Sequence, residues 1–304
     1  MSINMKIGIN GTGSLATLDQ VLAEAKKTEE AGFDSFWIAQ IFGMDALTAL
    51  AVVGREVPRI ELGTAVVPTY PRHPMMMAGQ ALTVQLASQN RLALGIGLSH
   101  EIVVESLWGY SYAKPLRHMR EYLSALLPLL RGESVDVHGE DITCVGGVDV
   151  QGAEAPPVIV AALGEQMLKL AGSNGCGTIT WCTGERALLT HVVPKINQAA
   201  EDAGRAAPRV IAGLPVCVTA NPEAAHAMVA EQLSLYGGLP SYRAMLDIEG
   251  AEGPADVAII GNEEQVADQL SRLAEGGVTE FSAVIAAPNS EDQARTWELL
   301  KSLI

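Results

Sequence analysis

The chain has 304 residues, 48% hydrophobic and 18% charged, with 35 acidic residues against 20 basic ones and a net charge of −15. That length and apolar content supply one large core, enough for a single α/β barrel or for two ordinary domains. The acidic balance, with no run of Lys or Arg, disfavours nucleic acid and anionic lipid as partners. No apolar stretch reaches the ~18–20 residues of a membrane span. The N-terminal MSINMKIGING lacks the shape of a secretory signal. The four cysteines (Cys144, Cys176, Cys182, Cys217) show no C-x-x-C spacing and read as reduced and buried. A cytoplasmic protein is expected.

In chain order, KIGIN (Lys6–Asn10) reads as a first strand. Thr17-Leu-Asp-Gln20 has the form of a capping box, and the helix it opens ends at Gly32. Residues 33–40 (FDSFWIAQ) form a second strand, and a helix over 45–57 ends at Pro58. Residues 60–67 (IELGTAVV) form a third strand, followed by a helix from Pro74 to about 88. Residues 91–98 (RLALGIGL) form a fourth, followed by a long helix over 116–130. The stretch 132–157, rich in Gly, Val and Asp, reads as an inserted hairpin or loop. Strands over 158–163, 177–182 and 209–218 alternate with helices over 166–171, 185–203 and 222–235. A second Gly- and Pro-rich stretch, 237–255, reads as irregular. A helix over 263–275, a strand over 280–286 and a helix over 292–303 close the chain. Strand starts near 6, 33, 60 and 91 are 27, 27 and 31 residues apart. Eight strand–helix units with no linker predict one (β/α)8 TIM barrel over 1–304, with insertions at about 132–157 and 237–255 at its C-terminal face. Leu239, Pro240, Tyr242 and Met245 are expected to cover part of the pocket there.

The glycines after the first strand do not make a dinucleotide site. GINGTG (Gly8, Gly11, Gly13) runs G-x-x-G-x-G rather than G-x-G-x-x-G, and the second strand ends in Ala39-Gln40 rather than in an acid. In a barrel the active site gathers where strands end. His73, His100, Glu101, Gln40, Tyr70, Ser99, Trp181 and Thr183 fall there, while His118, His191 and His226 fall on helices. Ser99-His-Glu-Ile-Val-Val-Glu105 is no zinc motif, because H-E-x-x-H would need His where Val104 stands. No other cluster has metal spacing, and neither a G-x-S-x-G elbow nor a phosphate-binding G-x-x-x-x-G-K loop occurs. A redox enzyme whose cofactor carries the reactive atom needs no protein nucleophile. Met75–Met77 reads as an adaptable core patch.

Several segments together resemble one family. They are Gly63-Thr-Ala-Val-Val-Pro68 with Arg72 and Pro74, then Asn90-Arg-Leu-Ala-Leu-Gly-Ile-Gly97, and Arg120 and Glu121 leading to Leu130-Arg-Gly-Glu133. Ala161-Ala-Leu-Gly-Glu-Gln-Met167 and Ile259-Ile-Gly-Asn-Glu-Glu-Gln-Val266 follow. In order and spacing they are similar to the luciferase-like monooxygenase superfamily. Within it they look closest to the oxidoreductases that use the deazaflavin coenzyme F-420, such as methylenetetrahydromethanopterin reductases and sugar-phosphate dehydrogenases. The resemblance covers nearly the whole chain.

The resemblance implies a hydride or oxygen chemistry at a tricyclic ring across the barrel mouth. It places the coenzyme against Gln40 after the second strand, against Thr64, Ala65 and Val66 of the third, and against Gly97, Leu98 and Ser99 of the fourth. It adds Ala161, Ala162, Leu163, Gly164, Glu165, Gln166 and Met167 after the fifth strand; Trp181, at the end of the sixth, is a further coenzyme-binding candidate by its strand-end position. It further implies a bulge in the third strand with a non-proline cis peptide at or within one residue of Ala65–Val66. Gly164 opens a helix, whose start would bind phosphate, or serves only as a hinge.

Two departures limit the transfer. Where the sugar-phosphate dehydrogenases carry His after the second strand and Glu after the fourth, the nearest residues are Ile41 and His100. No Arg stands near the fourth strand's end, which favours the deazaflavin over FMN. The sequence therefore points to an F-420-dependent oxidoreductase acting on a small organic substrate. His100 is the first candidate proton donor, and His73 and Glu101 are the next. The alternatives are an FMN-dependent monooxygenase of the same fold and a non-catalytic coenzyme-binding protein. A lyase or aldolase ranks last, because no strand ends in Lys. A homodimer is expected, through the apolar helices 46–53 and 74–87.

Overall fold

A computed structural model describes residues 3–11 and 15–304; Gly13 of the GINGTG segment lies outside them. In chain order the elements are β1 (Lys6–Asn10), α1 (Leu18–Ala31), β2 (Ser35–Ile38), α2 (Ala46–Glu56), β3 (Glu61–Thr64), β4 (Val67–Pro68), α3 (Pro74–Ala87) and β5 (Leu92–Gly97). Next come α4 (Pro115–Leu130), β6 (Val135–His138), β7 (Thr143–Gly146), β8 (Val158–Val160), α5 (Glu165–Ser173), β9 (Gly177–Trp181), α6 (Glu185–Ala187) and α7 (Val193–Asp202). The chain closes with β10 (Val210–Val218), α8 (Pro222–Gln232), α9 (Pro240–Glu249), β11 (Ile259–Gly261), α10 (Glu263–Glu275), β12 (Glu280–Ile285) and α11 (Ser290–Ser302). Strand order and direction are those of a closed eight-stranded parallel barrel, in which β3 and β4 count as one interrupted strand and β11 adds beside β10.

Local chemistry accounts for most boundaries. The Thr17–Gln20 capping box forms, with Gln20 N donating to Thr17 Oγ1 at 3.2 Å and Thr17 N to Gln20 Oε1 at 3.1 Å. Gly32, at φ 93°, ends α1 in a conformation that side chains resist. Asp45 caps α2 by accepting from Thr48 N at 2.8 Å, and Asn262 and Gln265 cap α10 reciprocally.

The chain divides into two compact units. One comprises Met1–Thr12, Lys27–Trp37 and Ala162–Ile304. Its parallel pairings put Gly8, Ser35, Trp37, Glu280, Ser282 and Gly213 on one strand face. The fully buried Glu280 carboxylate accepts from Trp37 Nε1 at 2.8 Å and from Ser35 Oγ, and it pairs with Arg209. A buried carboxylate needs such partners to remain tolerable. At Gly8 a Cβ would lie 2.0 Å from Ser35 Oγ, so only glycine leaves room for this network.

The other unit comprises Gly13–Lys26 and Ile38–Ala161. Here β5 pairs with β3, β4 and β8. Stretch 132–157 contains the antiparallel β6–β7 hairpin. The Glu121 carboxylate of α4 accepts from Glu140 N, Asp141 N and Ile142 N at 3.0, 2.8 and 3.0 Å, which holds the hairpin turn against that helix. Beyond the hairpin, Glu154 bonds Gln85 and Asn90, so the segment runs beside α3.

One expectation changes, and two helical details are added. The stretch 237–255 is not irregular: α9 occupies its middle, started by Pro240 at its first turn and stopped by Gly250 at φ 81°. The Pro and Gly that suggested a loop are the start and stop of a short helix. The helix expected over 185–203 runs without interruption over 185–202 and widens by one turn at Leu188–Val192, just before Pro194, which has no N–H to give the preceding turn. A further wide turn, Val103–Leu107, follows β5 and had no sequence signal.

Candidate active site

The interrupted strand is the site's base. Leu62 and Gly63 pair with Leu92 and Ala93, an offset of 30, whereas Val67 and Pro68 pair with Ile96 and Gly97, an offset of 29. Three residues, Thr64, Ala65 and Val66, therefore oppose two, which defines a bulge. The Ala65–Val66 peptide bond is cis, where the resemblance placed it. Thr64 Oγ1 fills the broken ladder, donating to Gly95 O at 2.7 Å and accepting from Gly95 N at 2.8 Å. The bulge presses on β5 so closely that a Cβ on Gly95 would stand 1.8 Å from Thr64 O, and one on Gly97 2.6 Å from Val66 Cγ2. On its other side Ala65 N donates to Ile38 O at 2.8 Å, and Gln40 N donates to Val66 O at 3.1 Å. Ala65 and Val66 remain partly exposed. The result is a small, rigid, uncharged ledge pinned from both sides, and such a surface fits one face of a flat ring.

Not every expected side chain is free for a ligand. Thr64 is fully buried and spent on Gly95. Gln40 Oε1 accepts from Ala46 N at 2.7 Å, so its carbonyl caps α2. Gly97 lies at the end of β5, and Ala161 follows β8 with its N donating to Ile96 O at 2.8 Å. Leu98, Ser99 and His100 continue from β5 half-buried, with Ser99 at φ 63°. Burial lowers the His100 pKa from its ordinary 6.5, so the ring is neutral at pH 7. Glu101 is exposed. His73 is a fixture: Nδ1 accepts from Met75 N at the start of α3, and Nε2 lies 2.8 Å from Thr143 O of the hairpin.

Tyr70, which the sequence places just after a strand end, belongs to an aromatic group whose other members, His118, Tyr110 and Tyr112, the sequence did not assign to the site. Tyr70 follows β4 and stacks on His118, with ring centres 3.9 Å apart and planes within 6°. Tyr112 lies 5.7 Å from Tyr70, and its hydroxyl reaches Ser99 O at 3.5 Å. His118 Nε2 meets Thr69 Oγ1 at 3.0 Å. The helical spacing of His118 pointed to packing, and its only cue to the site is its place in the first turn of a helix that follows a strand-end loop.

In the first-described unit, Ala162 O accepts from Thr178 Oγ1, and Leu163 O lies 2.8 Å from His191 Nε2. Gly164 caps α5 with extended backbone and no side-chain bond, and Gln166 is exposed while Met167 is half-buried. Glu165 pairs with Lys169 and Lys195, which hold its carboxyl down at about 2. Trp181, at the end of β9, meets Tyr236 edge-on at 6.3 Å, and Tyr236 meets Tyr242 at 5.1 Å. Glu249 accepts from Ala187 N at 2.9 Å. The 234–257 segment thus packs on the residues at and after the end of β9. Of the expected cover, Met245 is buried, Leu239 and Tyr242 are half-buried and Pro240 is exposed.

Among the described residues no group of three His, Cys, Asp or Glu could hold a metal, and no helix is long and apolar enough to cross a membrane. The family model for luciferase-like monooxygenases matches residues 3–280. A 5,10-methylenetetrahydromethanopterin reductase of Methanolobus tindarius is 29% identical over 210 residues, which is 69% of this chain and 64% of the relative. The coenzyme F420-dependent tetrahydromethanopterin reductase of Methanopyrus kandleri superposes with a TM-score of 0.82 at 20% identity, covering 99% of this chain and 98% of that one. The oxygenating constituent of the 3,6-diketocamphane monooxygenase of Pseudomonas putida, solved with FMN, superposes with a TM-score of 0.75 at 17% identity, covering 98% and 96%.

Proposed function

The chain belongs to the luciferase-like monooxygenase family, and from that membership we propose that it is an oxidoreductase transferring a hydride between coenzyme F-420 and a small organic substrate. The observation that carries the reading is the ledge: a bulge at 64–66 backed by the missing side chains of Gly95 and Gly97. When bound, a reduced deazaflavin supplies a hydride from its ring carbon. The protein's share is to hold a flat ring on Ala65 and Val66, to keep water from that face, and to place strand-end groups beside the other.

His100 is the proposed proton carrier. Because burial keeps it neutral at pH 7, it acts as a base in the oxidative direction and as an acid only at lower pH. His73 and Glu101 fit less well, the first because both ring nitrogens are engaged, the second because it stands in solvent. Similarity to an F-420-dependent reductase and the lack of Arg over residues 92–116 favour the deazaflavin. The FMN-bound neighbour of the same fold supports a second reading, an FMN-dependent monooxygenase.

Reconstitution with each coenzyme, followed by absorption spectra of the washed protein, tests the proposal. Retention of the deazaflavin, with turnover on a panel of ketones, enones and imines, is expected. Retention of FMN with oxygen consumption would establish the second reading, and coenzyme bound without turnover would indicate a binding protein.

A further inference from the structure

The ledge at Ala65–Val66 runs into a short strand with little ladder of its own. β4 is two residues long, and Pro68 has no N–H to give to β5. The donor that ties this end down is Thr69 N, 2.9 Å from Gly97 O. Gly97 is also the residue against which Val66 lies, since a Cβ there would stand 2.6 Å from Val66 Cγ2. One residue of β5 thus meets both the ledge and Thr69.

Thr69 is in turn held from α4. Its hydroxyl is buried and meets Nε2 of the buried His118 at 3.0 Å. Tyr122, one turn further along the same helix face, donates its hydroxyl to Arg72 O at 2.9 Å, and Arg72 N donates to Thr69 O at 3.1 Å. α4 therefore holds the 69–72 turn at both ends. Burying an imidazole is costly, and burial lowers the pKa of this one. Packing against Tyr70 needs a flat ring but no nitrogen. What the imidazole adds is a bond to a hydroxyl that is itself shut away from water.

We propose that His118 is a positioning residue for the coenzyme: through the Thr69 hydroxyl it fixes the end of β4 on Gly97, and so sets where Val66 of the ledge lies. That the ledge carries a coenzyme rests on the functional reading above; the positioning itself concerns this chain's own residues. The path is short and made of direct contacts, from His118 to Thr69, from Thr69 to Gly97 and from Gly97 to Val66. Val66 O also accepts from Gln40 N, and Ala65 N donates to Ile38 O, so a shift of the bulge disturbs those two amides as well.

The test uses His118→Phe, which keeps a ring for Tyr70 but loses the bond, and His118→Gln, whose amide nitrogen reaches as far from Cβ as Nε2. Thr69→Val removes the hydroxyl from the other side, and a double variant combines it with H118F. Hydrogen exchange of the coenzyme-free proteins is read at Gln40, Ala65 and Thr69, with amides 140–142 of the hairpin turn as reference. F-420 and FMN are then titrated by fluorescence. H118F and T69V should each speed exchange at the three amides and weaken coenzyme binding about fivefold, or about 1 kcal/mol. The double variant should be no worse than either single one, because both remove the same bond. H118Q should bind within about twofold of wild type. If H118F and T69V exchange and bind as wild type does, or if their losses add, the proposal falls alone. An H118Q as weak as H118F overturns it, because the ring and not the bond then matters. Faster exchange at 140–142 in H118F also overturns it, because α4 as a whole is then loosened. A wild type that binds neither coenzyme removes the functional reading, and exchange at Gln40 and Ala65 then decides by itself whether His118 sets the bulge.

Discussion

His100 shows how far a residue's position carries and where its environment takes over. Strand–loop alternation places it after β5, but the neutral ring follows from burial, which no local pattern encodes. Its folded pKa lies below 6.5, so the protonated form grows only as pH falls through that lower value. If His100 donates the proton in the reductive direction, kcat rises on acidification below pH ~6.5 and levels off. His100→Gln should flatten that limb and lower kcat about 10²-fold, read from pH–rate profiles of the loaded enzyme; an unchanged acid limb would exclude His100. Gly95 is a second case. In sequence it is one of two glycines in a strand, whereas in the fold its missing Cβ leaves room for Thr64 O at 1.8 Å. The obstacle is backbone and cannot swing aside, so Gly95→Ala should cost about 3 kcal/mol. Urea denaturation measures this, and a loss below about 1 kcal/mol would mean the ledge is not pinned as described.

The elements were legible where periodicity and caps agree. The Thr17–Gln20 box, Pro74 and Asn262 each start helices where expected. Elements whose cause is tertiary were not. Nothing in IELGTAVV alone counts three residues against two; the bulge came from the family resemblance, and the offset change between Gly63–Ala93 and Val67–Ile96 displays it. Stretch 237–255 failed because Pro240 and Gly250 punctuate a helix as readily as a loop. The hairpin over 135–146 is tied at its turn to α4 through Glu121 and Arg117. Glu121 takes three successive backbone N–H groups from its turn, bonds to a charged acceptor that are each stronger than neutral ones. Glu121→Ala should release that turn by about 2 kcal/mol of local opening while leaving global melting nearly unchanged. Hydrogen exchange of amides 140–142 would speed up; unchanged protection there would show that the hairpin holds itself.

For the molecule as a whole, the eight repeated strand–helix units made the barrel readable from spacing, since few architectures absorb that many parallel strands in one chain. Assembly leaves a weaker mark. Val52 of α2 and Met76 and Leu86 of α3 are apolar side chains exposed to solvent, on the two helices expected to pair two copies. We propose a homodimer, for which light scattering at micromolar concentration should give twice the 32.0 kDa chain mass; a mass of one chain would refute it. The central claim concerns the coenzyme, because the ledge accepts any flat ring and the choice between deazaflavin and flavin rests on the missing Arg and on the relatives. Side-by-side calorimetric titration of the purified protein with F-420 and with FMN addresses it most directly. The account predicts saturable binding of F-420, tighter than that of FMN by at least tenfold; equal or tighter binding of FMN, or no binding of F-420, would contradict it.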